Sequence, residues 1–208
     1  MKMHFATAVL AAAVTVPFVL AVPTVIEPDD FADGTDLTDA TPGVKLGTAG
    51  SDNVIIDVLG TGEPDFPITS DLVAPNDVAP TGDQVFAHAG VGFFNDNRRF
   101  RADFDTPVAA AGILFSGESV FDDYVGRLEA YDSADNLIAF DQTNPLGEDE
   151  VELLSVQLGN AGIDYIVAWT VVGEFGDLDR FVFGDTIPEP TSLGLLACGA
   201  LALRRRRK

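Results

Sequence analysis

The chain has 208 residues, a formal net charge of −21 and one cysteine, Cys198, a length that allows one sizeable domain with processed ends. All 33 acidic residues fall between Glu27 and Glu189, where only six bases accompany them, so the body repels nucleic acid and anionic membrane surfaces. With its one thiol in an apolar tail, the body forms no internal disulfide and uses no cysteine nucleophile.

The first 21 residues, MKMHFATAVLAAAVTVPFVLA, place Lys2 before an apolar run that contains no acid. The run is short and is interrupted by Pro17, which predicts a signal peptide cleaved after Ala21 by signal peptidase and not a lasting anchor. Residues 22–43 are rich in Asp, Pro, Thr and Gly and read as an extended leading segment. From 44 to 186, short apolar runs recur between clusters of turn-forming residues. The predicted strands are Val54–Val58, Gln84–Ala89, Arg99–Phe104, Ala109–Ser116, Gly126–Asp132, Leu137–Gln142, Val151–Leu158, Ile163–Val172 and Arg180–Phe183. A proline-rich loop from Gly60 to Gly82 has room for one more.

Two of these runs show the period that decides the fold class. In RRFRADF, Phe100, Ala102 and Phe104 share one face, and Arg99, Arg101 and Asp103 share the other. In GRLEAYD, Leu128 and Ala130 fall opposite Arg127, Glu129 and Tyr131. A two-residue period with one charged face marks half-buried antiparallel strands, and Asp132–Asn136 between two runs reads as a hairpin loop. No window of helical length has apolar residues three and four apart. The expected fold is all-β, an antiparallel β-sandwich of jelly-roll type, with 15 phenylalanines to fill the layer between its sheets.

The tail, 187–208, runs IPEPTSLGLLACGALALRRRRK. Pro188, Glu189 and Pro190 keep the backbone extended. The apolar piece that follows, Thr191 to Leu203, is 13 residues long, short of the ~20 a spanning helix needs. As a short helix it would anchor weakly. Arg204, Arg205, Arg206, Arg207 and Lys208 would stop it on the cytoplasmic side and leave the Pro-Glu-Pro triplet at the outer face. This order resembles the PEP-CTERM sorting signal of exported bacterial proteins. The resemblance implies recognition by an exosortase, transient anchoring, and delivery to the cell surface or extracellular matrix.

The stretches Phe100–Phe115, Gly126–Ile138 and Gly176–Asp185 are similar to the β-sandwich bodies of many PEP-CTERM proteins, and the last resembles the closing strand of galactose-binding-like modules. That likeness implies a structural calcium pinning the first strand to the last. The positions that match are Glu27, Asp29 (or Asp30) and Asp179, and calcium prefers such carboxylate oxygens.

Catalysis finds little support in the residues. His88 is the one histidine of the body, and the G-x-S-x-G context that a serine nucleophile would need is missing. Zinc lacks ligands. The acidic pairs Asp122–Asp123, Glu148–Glu150 and Asp177/Asp179 read as solvated loop charges, with no spacing specific to glycoside cleavage. Trp169, alternating with Val167 and Val171, reads as core. Arg98, Arg99 and Arg101 crowd one stretch. They either pair with neighbouring acids or grip an exopolysaccharide, with Tyr124 or Phe121 nearby. The expectation is a non-enzymatic protein with a structural or adhesive role. The alternative is a carbohydrate-binding module for exopolysaccharide, and a weaker one is a secreted glycan-processing enzyme.

Overall fold

The computed structural model describes residues 22–49, 68–72, 79–88, 94–96, 98–117, 123–147, 150–172 and 176–187. The predicted signal peptide, the predicted strand Val54–Val58 and the predicted C-terminal apolar helix lie outside the described residues. The rest is antiparallel β-structure with one turn of 3-10 helix, Pro28–Asp30. The strands are β1 (Thr24–Ile26), β2 (Val44–Ala49), β3 (Ile68–Leu72), β4 (Gln84–His88), β5 (Arg99–Val108), β6 (Ala110–Gly117), β7 (Val125–Tyr131), β8 (Leu137–Gln142), β9 (Val151–Gln157), β10 (Ile163–Val172) and β11 (Gly176–Gly184). They form a four-stranded sheet in the order β1-β11-β6-β9, a five-stranded sheet β2-β5-β10-β7-β8, and the pair β3-β4.

The alternation in β5 sets the layering. Phe100, Ala102 and Phe104 are buried while Arg99, Arg101 and Asp103 face outward. The inward side meets the other sheet through aromatic edges: Phe100 lies 5.6 Å from Phe181 and 5.8 Å from Phe94, and Phe104 lies 5.2 Å from Phe183. Offset and edge-to-face rings fill such a layer better than a face-to-face stack. The two sheets therefore form a sandwich around one phenylalanine-rich core.

Phe115 on β6 shows how tight that layer is. Side chains added at Gly126 on β7 or at Gly176 on β11 would each come within 2.6 Å of its ring. The two glycines hold the ring between opposite sheets by having no side chains of their own. Gly126→Ala is expected to lose about 1–3 kcal/mol through overpacking. It should lower the urea midpoint with an unchanged slope.

The hairpin loop forms as expected. Asp132 Oδ1 accepts the Ala134 and Asn136 amides at 2.9 Å, and Asp135 takes φ 60° at the tip. The Asn136 side chain, then its backbone N–H, holds the Asp132 carboxyl below the usual range. Two differences from the expectation stand out. The leading segment supplies β1, which pairs with Phe181–Phe183 of β11, and Val44–Ala49 forms β2 against Arg99–Phe104. Neither run alternates clearly, because β1 is three residues long and β2 is buried along most of its length.

Candidate functional site

Antiparallel register lays the outward side chains of the five-stranded sheet in rows. Arg99 stands over Trp169, which faces Arg127, which faces Gln142. In the next row Arg101, Val167, Glu129 and Phe140 stand side by side, and in the third Lys45, Asp103, Tyr165 and Tyr131. Each arginine sits on a ring. The guanidinium carbon of Arg99 is 4.1 Å from the centre of Trp169, that of Arg101 is 4.0 Å from Tyr165, and that of Arg127 is 4.3 Å from Phe140. A cation held over a ring face is attracted by the ring quadrupole, the more so where water is excluded.

Each guanidinium also has a carboxylate. Arg99 pairs with Asp96 at 3.3 Å, Arg101 with Asp103 at 2.5 Å and Arg127 with Glu129 at 2.6 Å. The rings join the same network: Trp169 Nε1–H donates to Asp96 Oδ1 at 2.9 Å, Tyr165 donates to Asp135 at 3.0 Å, and Tyr131 donates to Glu129. Tyr131 and Tyr165 stack 4.8 Å apart and nearly parallel. Burial first, then the acceptor carboxylates, push both phenols well above their ordinary range. They stay neutral donors at any physiological pH.

Most of this face is closed to a ligand. Trp169, Tyr165 and Tyr131 are buried beneath their neighbours. Its β8 border is open, with Phe140 57% exposed and Leu137 46%, as is the end of β10 at Val171 and Val172. Beside Phe140, Arg127 Nη1 donates to Gln142 Oε1 at 3.2 Å. An open ring, a guanidinium, a carboxylate and an amide thus meet at one edge.

A second cluster lies where β1, the 79–83 segment and β11 meet. Thr81 N–H donates to Asp179 Oδ2 at 2.7 Å, and the Arg180 amide to Oδ1 at 2.6 Å. The Thr81 hydroxyl lies 2.5 Å from Glu27 Oε1 and 2.6 Å from Asp179 Oδ2. One hydroxyl proton cannot serve two carboxylates at once, so Thr81 donates to Glu27 or to Asp179 but not to both together. Burial, with Glu27 adding to it, pushes the Asp179 carboxyl up to about 7. A bulge creates the arrangement: register shifts between Asp179 and Phe181, and Arg180 takes φ 40°, a left-handed setting costly for a residue with a side chain. Arg180 then reaches Glu27 at 3.7 Å.

Asp29 stands on the other side of the same segment. Its Oδ1 accepts the Asp83 amide at 2.8 Å, and its Oδ2 is buried with no hydrogen-bond partner among the described residues. Gly82, at φ 61°, leaves room for that carboxyl, which any side chain there would strike. Among the described residues no three His, Cys, Asp or Glu side chains converge closely enough to hold a metal unaided. Glu27 and Asp179 meet through Thr81, with Asp29 across the segment.

The other predicted residues fall elsewhere. Arg98 closes a backbone bridge with Asn95. Tyr124 is buried in the core, bridged to Leu146, and Phe121 lies outside the described residues. His88 is buried, edge-on to Phe94 at 5.0 Å. Asp177 and Asp179 are not solvated loop charges: β11 begins at Gly176, and both are buried within it. Asp122, Glu148, Asp149, the Pro188–Pro190 triplet and the basic tail are outside the described residues, while Glu150 accepts the Gly147 amide. The feature missed in the sequence is Phe140 with Arg127. Its signal was an aromatic residue in LIAFDQ at the end of a hairpin whose other strand carries Arg127 and Glu129.

The chain leaves β11 at Gly184 and reaches Ile187 just before the Pro-Glu-Pro triplet. Residues 186–208 form a PEP-CTERM protein-sorting motif. The PEP-CTERM motif marks an exported protein and implies processing by an exosortase. Among the described residues no helix is long and apolar enough to cross a membrane. No curated protein matches the chain. Among solved structures, TmCBM61 in complex with beta-1,4-galactotriose is 15% identical, covering 67% of this chain and 88% of that one at a TM-score of 0.41. CsCBM6-3 from Clostridium stercorarium, in complex with cellobiose, is 15% identical, covering 78% and 94% at 0.37. The enzymatically active domain of tailspike protein 4 of bacteriophage CBA120 is 12% identical, covering 68% and 18% at 0.31.

Proposed function

We propose that the mature protein is a non-catalytic adhesive module of the cell surface or extracellular matrix that holds exopolysaccharide at the β8 border of its five-stranded sheet. The observation that carries this reading is Phe140, an exposed ring backed by Arg127 and flanked by Glu129 and Gln142. A sugar ring offers C–H groups to the negative face of an aromatic ring, and its hydroxyls suit a guanidinium, carboxylate and amide side by side. Because Arg99, Arg101 and Arg127 are already ion-paired and acids dominate the body, a neutral glycan suits the patch better than a polyanion.

Calcium belongs to the same proposal. Glu27, Asp179 and Asp29 are oxygen donors of the kind it prefers, with Thr81 and backbone carbonyls to fill its shell. Bound there it would add positive charge between the carboxylates and fasten β1 to β11. Asp179 is fully buried, so a glycan has no access to the Glu27–Asp179 pair, and this favours a non-catalytic role. A jelly-roll layout also fits: between β5 and β11 the chain changes sheet at every connection except β7–β8. Transient anchoring by the short apolar tail completes the proposed route.

The test is a glycan array followed by titration calorimetry with the hit. Phe140→Ala is expected to weaken binding about tenfold, the loss of roughly 1.4 kcal/mol of stacking. Because Phe140 is largely exposed, the melting temperature should hold. Equal binding by the variant would dismiss this site.

A further inference from the structure

Ile187 belongs to the sorting motif, yet it is docked on the folded domain. Its side chain is 9% exposed, packed against Ala110 and Val182 with Leu153 alongside, apart from the main core. Val182 alternates with the inward-facing Phe181 and Phe183, so this contact lies on the outer face of the four-stranded sheet. The floor is made of small residues: a side chain at Gly112 would come within 3.2 Å of Ile187 Cδ1. The chain turns back to reach it. β11 ends at Gly184 with φ 150°, a setting that favours glycine, and the exposed Asp185 and Thr186 carry the chain to the groove.

We propose that Ile187 is a positioning residue for the processing reaction, a latch that holds the start of the sorting motif on the sandwich and limits exosortase access to Pro188, Glu189 and Pro190. A peptidase takes up its substrate as an extended strand several residues long, and such pairing needs backbone free of other contacts. With Ile187 docked, three residues separate the domain from Thr191, a reach of about 10 Å. That leaves an exosortase little free chain to engage between the domain and the apolar piece. Release back to Gly184 doubles the reach. Burial of an isoleucine side chain favours the docked state by roughly ten- to a hundredfold, and processing follows the released fraction.

Pulse-chase of the full chain in a host with its exosortase, with the processed form read by mass, tests this. Ile187→Gly and, separately, a six-residue Gly/Ser insertion between Ile187 and Pro188 are expected to speed processing about tenfold. The insertion leaves every contact of the domain intact, so it stays informative even if the point variant folds poorly. Combined, the two should be no faster than the insertion alone. An insertion without effect would overturn the latch. So would Ile187→Gly processed no faster than the wild type, or slower in the insertion background, which would mark Ile187 as a residue the peptidase reads directly.

Discussion

In the presence of a chelator, the contribution of Asp179 to stability is expected to fall as pH rises from about 4 to about 7. The sign follows from where the proton sits. Burial and the Glu27 charge raise the folded-state value from 3.8 to about 7, so across that window the unfolded chain has lost a proton that the folded chain keeps. The folded state binds more protons, and stability drops with rising pH. At about 1.4 kcal/mol per unit the full effect is at most about 4 kcal/mol. It should appear as a falling urea midpoint in the wild type, with the slope against pH missing in Asp179→Asn. Calcium is expected to reverse the effect above pH 7, where the Asp179 carboxyl is ionised. A free concentration one hundred times Kd would add about 2.7 kcal/mol. An identical melting curve with calcium and with chelator at pH 8 would remove calcium from this cluster and leave the proton as its counter-charge.

The second large effect is expected at Phe181. Its ring touches Phe100 at 5.6 Å, Phe104 at 6.2 Å and Phe183 at 5.4 Å, bridging the two sheets next to the Arg180 bulge. Phe181→Ala removes the bridge and leaves a cavity that rigid strands cannot close, a loss of about 3–5 kcal/mol. Against the 5–15 kcal/mol typical of a domain, equilibrium unfolding in urea should show most of the stability gone. Phe140→Ala, which removes an equally large ring from an exposed edge, should change it by no more than about 0.5 kcal/mol. A small loss at Phe181 would mean that the sheets are held together elsewhere.

The order of residues alone determined the C-terminal sorting motif and the half-exposed strands. A sorting motif is read in extended form, so Pro188, Glu189, Pro190 and the terminal arginines are legible without a fold. In β5 and β7 one face meets water and the other meets the core, and that contrast prints a two-residue period on the sequence. Asp132–Asn136 was legible because its turn is closed by its own side chains. Where both faces are covered the period disappears. Hence β2, flanked by the leading segment, went unseen, and β11 was placed from Arg180 when it begins at Gly176. Only the tertiary structure decided which long-range neighbours meet. It brought Thr81 between Glu27 and Asp179, 98 residues from the latter, and set Arg127 on Phe140 across a hairpin. It also turned the chain after Gly184 so that Ile187 rests on Ala110 and Val182. A linear pattern records how much each residue is buried, and has no means of recording which partner buries it.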